Sequence, residues 1–241
     1  MRDTRIRLCL DQPLGAGQSV LLAEAQAHYL FGVMRLTEGA RLLVFNGCDG
    51  EWLAEVSEAR RKRGALTCLE QVRSQQMPPD LWLIFAPVKK ARTDVIVEKA
   101  VELGAARLMP VLTDYTNSER FRRDKAEAHV REAAEQCGAL WLPQVEDAQP
   151  LSRLLQGWPE GRTLFWADES RAGARDSFAS APDGPAGILI GPEGGFSPAE
   201  RGRLTELPFV HPVSLGPRIL RAETAAIAAL TLWQATHGDW R

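Results

Sequence analysis

Two glycine-broken apolar segments near the end of the chain restrict its fold more than any other feature. The first, Gly187-Ile188-Leu189-Ile190, runs into Gly191-Pro192-Glu193-Gly194-Gly195-Phe196-Ser197. The second, Val213-Ser214-Leu215, runs into Gly216-Pro217-Arg218-Ile219-Leu220-Arg221-Ala222-Glu223-Thr224. Each reads as a short buried strand that breaks at glycine and opens a helix. Such junctions let bare backbone approach a ligand closely. Two of them in neighbouring strands would form one cleft at the carboxyl edge of a sheet, where open α/β sheets bind ligands.

The residues upstream divide by pattern. Residues 1–73 read as a small β-rich module with short strands at Arg5–Leu10 and Ser19–Leu22. A helix is expected over Ala23–Arg35, with Ala27, Leu30, Phe31 and Met34 on one face. Apolar runs flank the turn cluster Asn46-Gly47-Cys48-Asp49-Gly50, a hairpin signal, and Ala65–Val72 is a further strand. Residues 74–80 carry two prolines between apolar patterns and are expected to be a linker.

From residue 81 to 241 strands and helices alternate, which argues for a mostly parallel sheet covered by helices. Strands are expected at Leu81–Val88, Arg107–Thr113, Thr163–Ala167, Gly187–Ile190 and His211–Leu215. Pro110 would place its strand at an edge or a bulge. Helices are expected after a cap at Thr93 (ending at Gly104), over Asp124–Leu140 and Leu151–Gln156, after the capping box Ser197-Pro198-Ala199-Glu200, and over Ala222–Thr236.

A chain of 241 residues is long enough for one large domain or two smaller ones, and a net charge of −2 excludes a global polycation. A nucleic-acid partner must therefore meet local basic patches. Cys9, Cys48, Cys68 and Cys137 are scattered without metal-ligand spacing, so free thiols and no metal are expected. Arg2, Arg5 and Arg7 precede no apolar h-region, and no run is long enough to span a bilayer, so a cytoplasmic protein is expected. The chain has no G-x-G-x-x-G after a strand, no P-loop and no G-x-S-x-G elbow, and its histidines are scattered. What is left is a cleft of backbone groups rimmed by Glu193, Arg218, Arg221, Glu223 and Thr224. It suits a neutral or cationic small molecule. Arg60-Arg61-Lys62-Arg63 reads as a solvated turn or as a phosphate contact on RNA.

The two glycine motifs, in this order and spacing, closely resemble those of the 16S ribosomal RNA (uracil-N3) methyltransferase family, within the SPOUT superfamily of knotted methyltransferases. The resemblance extends to Lys89-Lys90-x-Arg92-x-Asp94, Glu98-Lys99-x-x-Glu102-Leu103-Gly104 and Glu132–Gly138. It also covers His28-Tyr29, Met34-Arg35, Gly39 and Phe45-Asn46-Gly47, which resemble the family's PUA-like RNA-binding domain. It therefore spans nearly the whole chain.

The resemblance implies a PUA-like β-barrel domain followed by a SPOUT-type mostly parallel sheet with a C-terminal trefoil knot. It implies a homodimer, S-adenosyl-L-methionine as methyl donor, and 16S rRNA or the small ribosomal subunit as partner. The donor role falls on Gly191, Glu193, Gly194, Gly195, Leu215, Gly216, Ile219, Leu220 and Thr224. Transfer to N3 of a uracil develops charge on O2 and O4, which a cation would stabilise. Arg221 is expected to supply it, with Glu223 as its orienting partner; the alternative is an Arg–Glu pair at a helix start. Given the resemblance, Lys89, Lys90, Arg92, Arg120, Arg122 and Arg123 become expected phosphate contacts. At Ala139 and Tyr115 the chain departs from the family pattern, which usually has arginine. Tyr115 and Trp141 offer aromatic faces for an unstacked base, with burial the alternative for Trp141. Two other readings stay open: an RNA-binding assembly factor without turnover, and a SPOUT enzyme acting on another RNA.

Overall fold

The computed structural model describes residues 6–117, 121–174 and 177–241, and the chain divides into two compact units. One comprises residues 1–77 with 134–141, the other 78–133 with 142–241. Arg120 lies outside the described residues, as does the side chain of Lys90.

The first unit is built on β1 (Arg7–Cys9), β2 (Ser19–Leu21), β3 (Arg41–Phe45), β4 (Glu51–Arg60) and β5 (Arg63–Arg73), in the sheet order β1-β3-β4-β5-β2. The β1–β3 pair is parallel and the others antiparallel. No described pair closes β1 onto β2, so the hydrogen-bonded sheet is open where a barrel was expected. The Asn-Gly hairpin joins β3 to β4, in register Phe45 to Glu51. Alternation along the strands buries Leu42, Val44, Val56, Leu66 and Cys68 in one core. The helix expected over Ala23–Arg35 is only four residues of α-helix, α1 (Glu24–Ala27), followed by a π-helical segment, His28–Val33. The wider turn is seen in Met34 N–H donating to Tyr29 O at 2.9 Å, and Arg35 ends it at a φ of +57°. The change of period leaves Leu30 buried but turns Met34 out to solvent.

Residues 134–141 are held in this unit by side chains that satisfy carbonyls at a helix end. Arg7 donates to Ala134 O, to Glu135 O at 3.0 Å and to Ala139 O at 2.9 Å. Its Nε pairs with the buried Glu51 at 2.6 Å, and its guanidinium lies 4.5 Å from the Phe45 ring centroid. Arg73 donates to Gly138 O and Gln75 to Leu140 O.

The second unit contains β6 (Leu81–Phe85), α2 (Lys90–Glu102), β7 (Arg107–Leu112), α3 (Arg123–Cys137, its last residues belonging to the first unit), β8 (Gln144–Val145), β9 (Gln149–Pro150), α4 (Leu151–Gln156), β10 (Thr163–Ala167), β11 (Ala186–Ile190), α5 (Pro198–Glu206), β12 (Val210–Val213) and α6 (Ala222–Thr236). Every pairing is parallel, in the order β12-β10-β11-β6-β7-β8, with β9 also on β7. One face carries Ile84, Leu164, Trp166 and Leu189 against Leu151, Leu154 and Leu155 of α4 and Leu204 of α5. On the other, Phe165 meets His237 just after α6, and α6 packs on β11 and α2.

Three local expectations change. The glycine junctions after β11 and β12 are not in neighbouring strands, because β10 lies between them. Pro110 sits in an interior strand rather than at an edge. It is tolerated because β8 pairs only as far as Leu108 and β9 only from Val111, so no ladder bond is needed from it on that side. Thr93 does not cap α2, which starts three residues earlier. Its hydroxyl instead reaches back to Val88, accepting from the N–H at 3.0 Å and donating to the carbonyl at 2.9 Å. Gly104 does end that helix, at a φ of +78°, and Gln234 of α6 donates to Leu103 O beside it.

Replacing Arg7 by Met is expected to cost about 3–5 kcal/mol, because it leaves Glu51 buried without its closest cation. The Arg7→Met/Glu51→Met pair is expected to recover only part of that loss, because the Ala134, Glu135 and Ala139 carbonyls still lack their donor, both read as free energies of urea unfolding.

Candidate active site

Parallel strands all end on one edge, so the segments after β10, β11 and β12 emerge together. A small pocket of about 50 Å³ lies there, lined by Ala167, Asp168, Glu169 and Ala172 after β10 and by Val213, Leu215, Gly216, Arg218, Ile219, Leu220 and Ala225 around the β12–α6 junction. Its two walls are tied by Gly173 N–H donating to Gly216 O at 3.0 Å. Leu215, Gly216, Ile219 and Leu220 were singled out in the sequence and meet here; Asp168, Glu169 and Ala172 were not. No motif marks that pair of acids, whose only signal is position at the end of a buried apolar strand.

The loop after β11 stands next to this pocket. Phe196 folds back over Gly191, where an added Cβ would come within 2.7 Å of the ring. Gly195 has a φ of +67°, and a Cβ there would collide with the Glu169 carboxylate. A side chain at Gly195 would therefore meet both backbone strain and steric overlap. Ser197 then caps α5 in a complete capping box, its Oγ accepting from Glu200 N–H at 3.2 Å and Glu200 Oε2 accepting from Ser197 N–H at 2.9 Å. One turn into α5, Arg201 pairs with both Asp168 and Glu169 and donates through Nε to Phe196 O at 3.2 Å. One guanidinium thus joins the β10 loop, the β11 loop and α5.

Arg92, Glu193 and Glu223 form a second cluster. Arg92 lies 3.0 Å from Glu193 and 3.5 Å from Glu223 Oε1. Glu223 Oε2 is buried with no hydrogen-bond partner among the described residues. Arg221 is the N-cap residue of α6, and its side chain is exposed and makes no cap bond. Thr224 is exposed on the first turn of α6. Glu193 and Gly194 are exposed in the β11 loop.

The basic residues differ in their surroundings. Lys89 is exposed at the N-cap of α2. Arg122 pairs with Asp124 at 2.6 Å, and this hydrogen bond lowers the Asp124 carboxyl to a pKa of about 2. Arg123 pairs with Glu127 at 2.8 Å and with Asp147 at 3.5 Å. In the first unit Arg60, Arg61, Lys62 and Arg63 are all exposed at the β4–β5 turn. Arg60 and Arg63 lie near Glu58, and Lys62 near Glu24. An open groove lined by Phe31, Gly32, Leu36 and Arg61 runs beside the turn. Ala139 is buried in the first unit, its carbonyl bound by Arg7, and Trp141 is half-buried there. Tyr115 is exposed, against Gly194. Among the described residues no cluster of His, Cys, Asp and Glu could hold a metal ion, and no helix is long and apolar enough to cross a membrane.

Known proteins of similar sequence and fold are RNA methyltransferases. The RNA methyltransferase domain matches residues 75–234 and the RNA methyltransferase PUA domain residues 22–67. Ribosomal RNA small subunit methyltransferase E of Synechocystis sp. is 32% identical over 219 residues, 88% of this chain and 71% of that protein. The protein of the same name from Rickettsia conorii is 28% identical over 228 residues, 93% of each chain. The crystal structure of ribosomal RNA small subunit methyltransferase E from Neisseria gonorrhoeae, bound to S-adenosyl methionine, superposes with a TM-score of 0.87 at 25% identity, covering 98% of this chain and 99% of that one. A Legionella pneumophila methyltransferase with bound S-adenosylmethionine gives 0.85 at 28% identity, with 98% and 99% covered. With an RNA methyltransferase domain matched over residues 75–234, this chain belongs to the ribosomal RNA small subunit methyltransferase E family of RNA methyltransferases.

Proposed function

We propose that this protein transfers a methyl group from S-adenosylmethionine to N3 of a uridine in the 16S RNA of the small ribosomal subunit. The observation that carries the reading is the pocket between the β10 and β12 ends, in a chain of this family. The residues present fit the donor. Open space beside the bare backbone of Gly216 leaves room for close approach, and the Asp168 and Glu169 carboxylates supply negative potential toward a cation. When bound, the donor supplies an electrophilic methyl group on a sulfonium.

In this reading Leu215, Gly216, Ile219 and Leu220 hold the adenosyl portion, and Gly191, Glu193, Gly194 and Gly195 form the adjoining wall, with Thr224 at the rim. Arg221 stabilises the charge that develops on the uracil oxygens as the N3 proton passes to water. Its side chain is free of a capping role. Glu223 orients it, and the unpartnered Oε2 leaves an acceptor for that purpose while Arg92 occupies Oε1. Residues 1–73 serve as the RNA-binding module, 74–80 as the linker and 81–241 as the methyltransferase domain. Lys89, Lys90, Arg92, Arg120, Arg122, Arg123 and the turn Arg60–Arg63 contact phosphates. The reading includes a C-terminal trefoil knot, a homodimer and a cytoplasmic location, all supported by the family resemblance.

Purified protein given methyl-labelled donor and unmethylated small subunits is expected to label the 16S RNA and to create one reverse-transcriptase stop at a uridine. Label without that stop would refute N3 as the target, and no label would favour an assembly factor without turnover. Arg221→Ala is expected to lower kcat by about 10²-fold or more while leaving donor affinity near that of the unaltered protein. Equal losses in both would make Arg221 structural. Gly195→Ala is expected to weaken donor binding about tenfold by calorimetry through displacement of Glu169 from the pocket wall, while its left-handed strain of about 1–2 kcal/mol falls on folding stability.

A further inference from the structure

Tyr115 is a large aromatic residue that the core does not use. It follows β7 on the same carboxyl edge as the pocket loops and is 44% exposed. Its backbone is nevertheless tightly held. Thr113 N–H donates to Thr116 Oγ1 at 2.9 Å, the two threonine hydroxyls are 2.9 Å apart, and Thr116 N–H donates to Thr113 O at 3.1 Å. Asp114 fastens this turn to α5: its N–H donates to Glu200 Oε1 at 3.0 Å, and its carboxylate accepts from Ser197 Oγ. The Tyr115 side chain leans on Gly194, so closely that a Cβ added to Gly194 would lie 3.3 Å from Tyr115 Cβ. Gly194 is the residue after Glu193, and through Arg92 that acid connects to Glu223 at the start of α6.

A planar ring kept partly in water on a rigid turn gives up burial it could have had elsewhere. Unpaired bases stack on such rings, and a rigid ring loses little entropy when they do. A base must leave its stack to present N3, since that edge is the one used in pairing. We infer that Tyr115 is the platform on which the target uracil stacks beside the β11 loop, a residue that positions the acceptor rather than the donor. This rests on the proposed methyl transfer to uridine. It requires only the face of the ring, so the hydroxyl is dispensable.

The test compares Tyr115→Phe, Tyr115→Leu and Tyr115→Ala with the unaltered protein on unmethylated small subunits. Melting temperature and donor affinity are read alongside turnover. Tyr115→Phe is expected to keep kcat/KM, whereas Tyr115→Leu and Tyr115→Ala are expected to lose roughly ten- to a hundredfold, the usual range for one base–aromatic stack. Donor affinity and melting temperature should stay unchanged in all three. Turnover by Tyr115→Ala equal to the unaltered protein would overturn the inference alone. So would a loss matched by weaker donor binding, or a Leu variant as active as the Phe variant. No turnover by the unaltered protein would overturn the functional reading, and the role of Tyr115 with it.

Discussion

The pocket depends on one guanidinium that does not line it. Asp168 and Glu169 stand side by side at the end of a buried strand, Asp168 itself buried, and both face the pocket. Two carboxylates placed so closely repel each other, and the repulsion grows as water is excluded. Arg201 meets both acids while its Nε reaches Phe196 O, so the charge balance and the spacing of two strand-end loops are set by the same group. The arginine is positioned by the capping box that starts α5 directly after the glycine loop. Glu169, held this way, occupies the space that a side chain at residue 195 would need. The glycine motif and the acid pair are therefore parts of one arrangement, although more than 20 positions separate them in the chain.

That separation explains what the sequence could and could not reveal. Local signals translated directly: the Ser197–Glu200 capping box, the Asn-Gly hairpin, the end of α2 at Gly104, and the run Ala222–Thr236 as α6. Each is decided by neighbours a few residues away. The position of β10 between β11 and β12 is a matter of strand order, which no periodicity encodes, and with it went the Asp168–Glu169 wall. Thr93 misled because Ser and Thr satisfy nearby backbone groups either as caps or from within the first turn, and only the path of the β6–α2 connection decides between them. Likewise, the apolar face of Ala23–Arg35 assumed 3.6 residues per turn, and the switch to a π-helical turn at His28 left Met34 outside.

The basic residues show how little charge alone says about a role. Arg122 and Arg123 are exposed and already paired, with the Asp124 carboxyl lowered to about 2 by Arg122. That pair is thus intact at neutral pH and is lost only in strong acid, as Asp124 takes up a proton near pH 2. Exposed pairs contribute little, about 0–1 kcal/mol, so a phosphate can replace the carboxylate by ordinary ion exchange, in a salt-dependent way. Arg92 is in a different position. It is half-buried between Glu193 and Glu223, and withdrawing it toward a phosphate would leave two acids facing each other at the start of α6. The same residue type therefore has two physical roles on this surface. Arg122 and Arg123 can exchange partners at small cost, while Arg92 would reach a phosphate only at the larger cost of releasing Glu193 and Glu223.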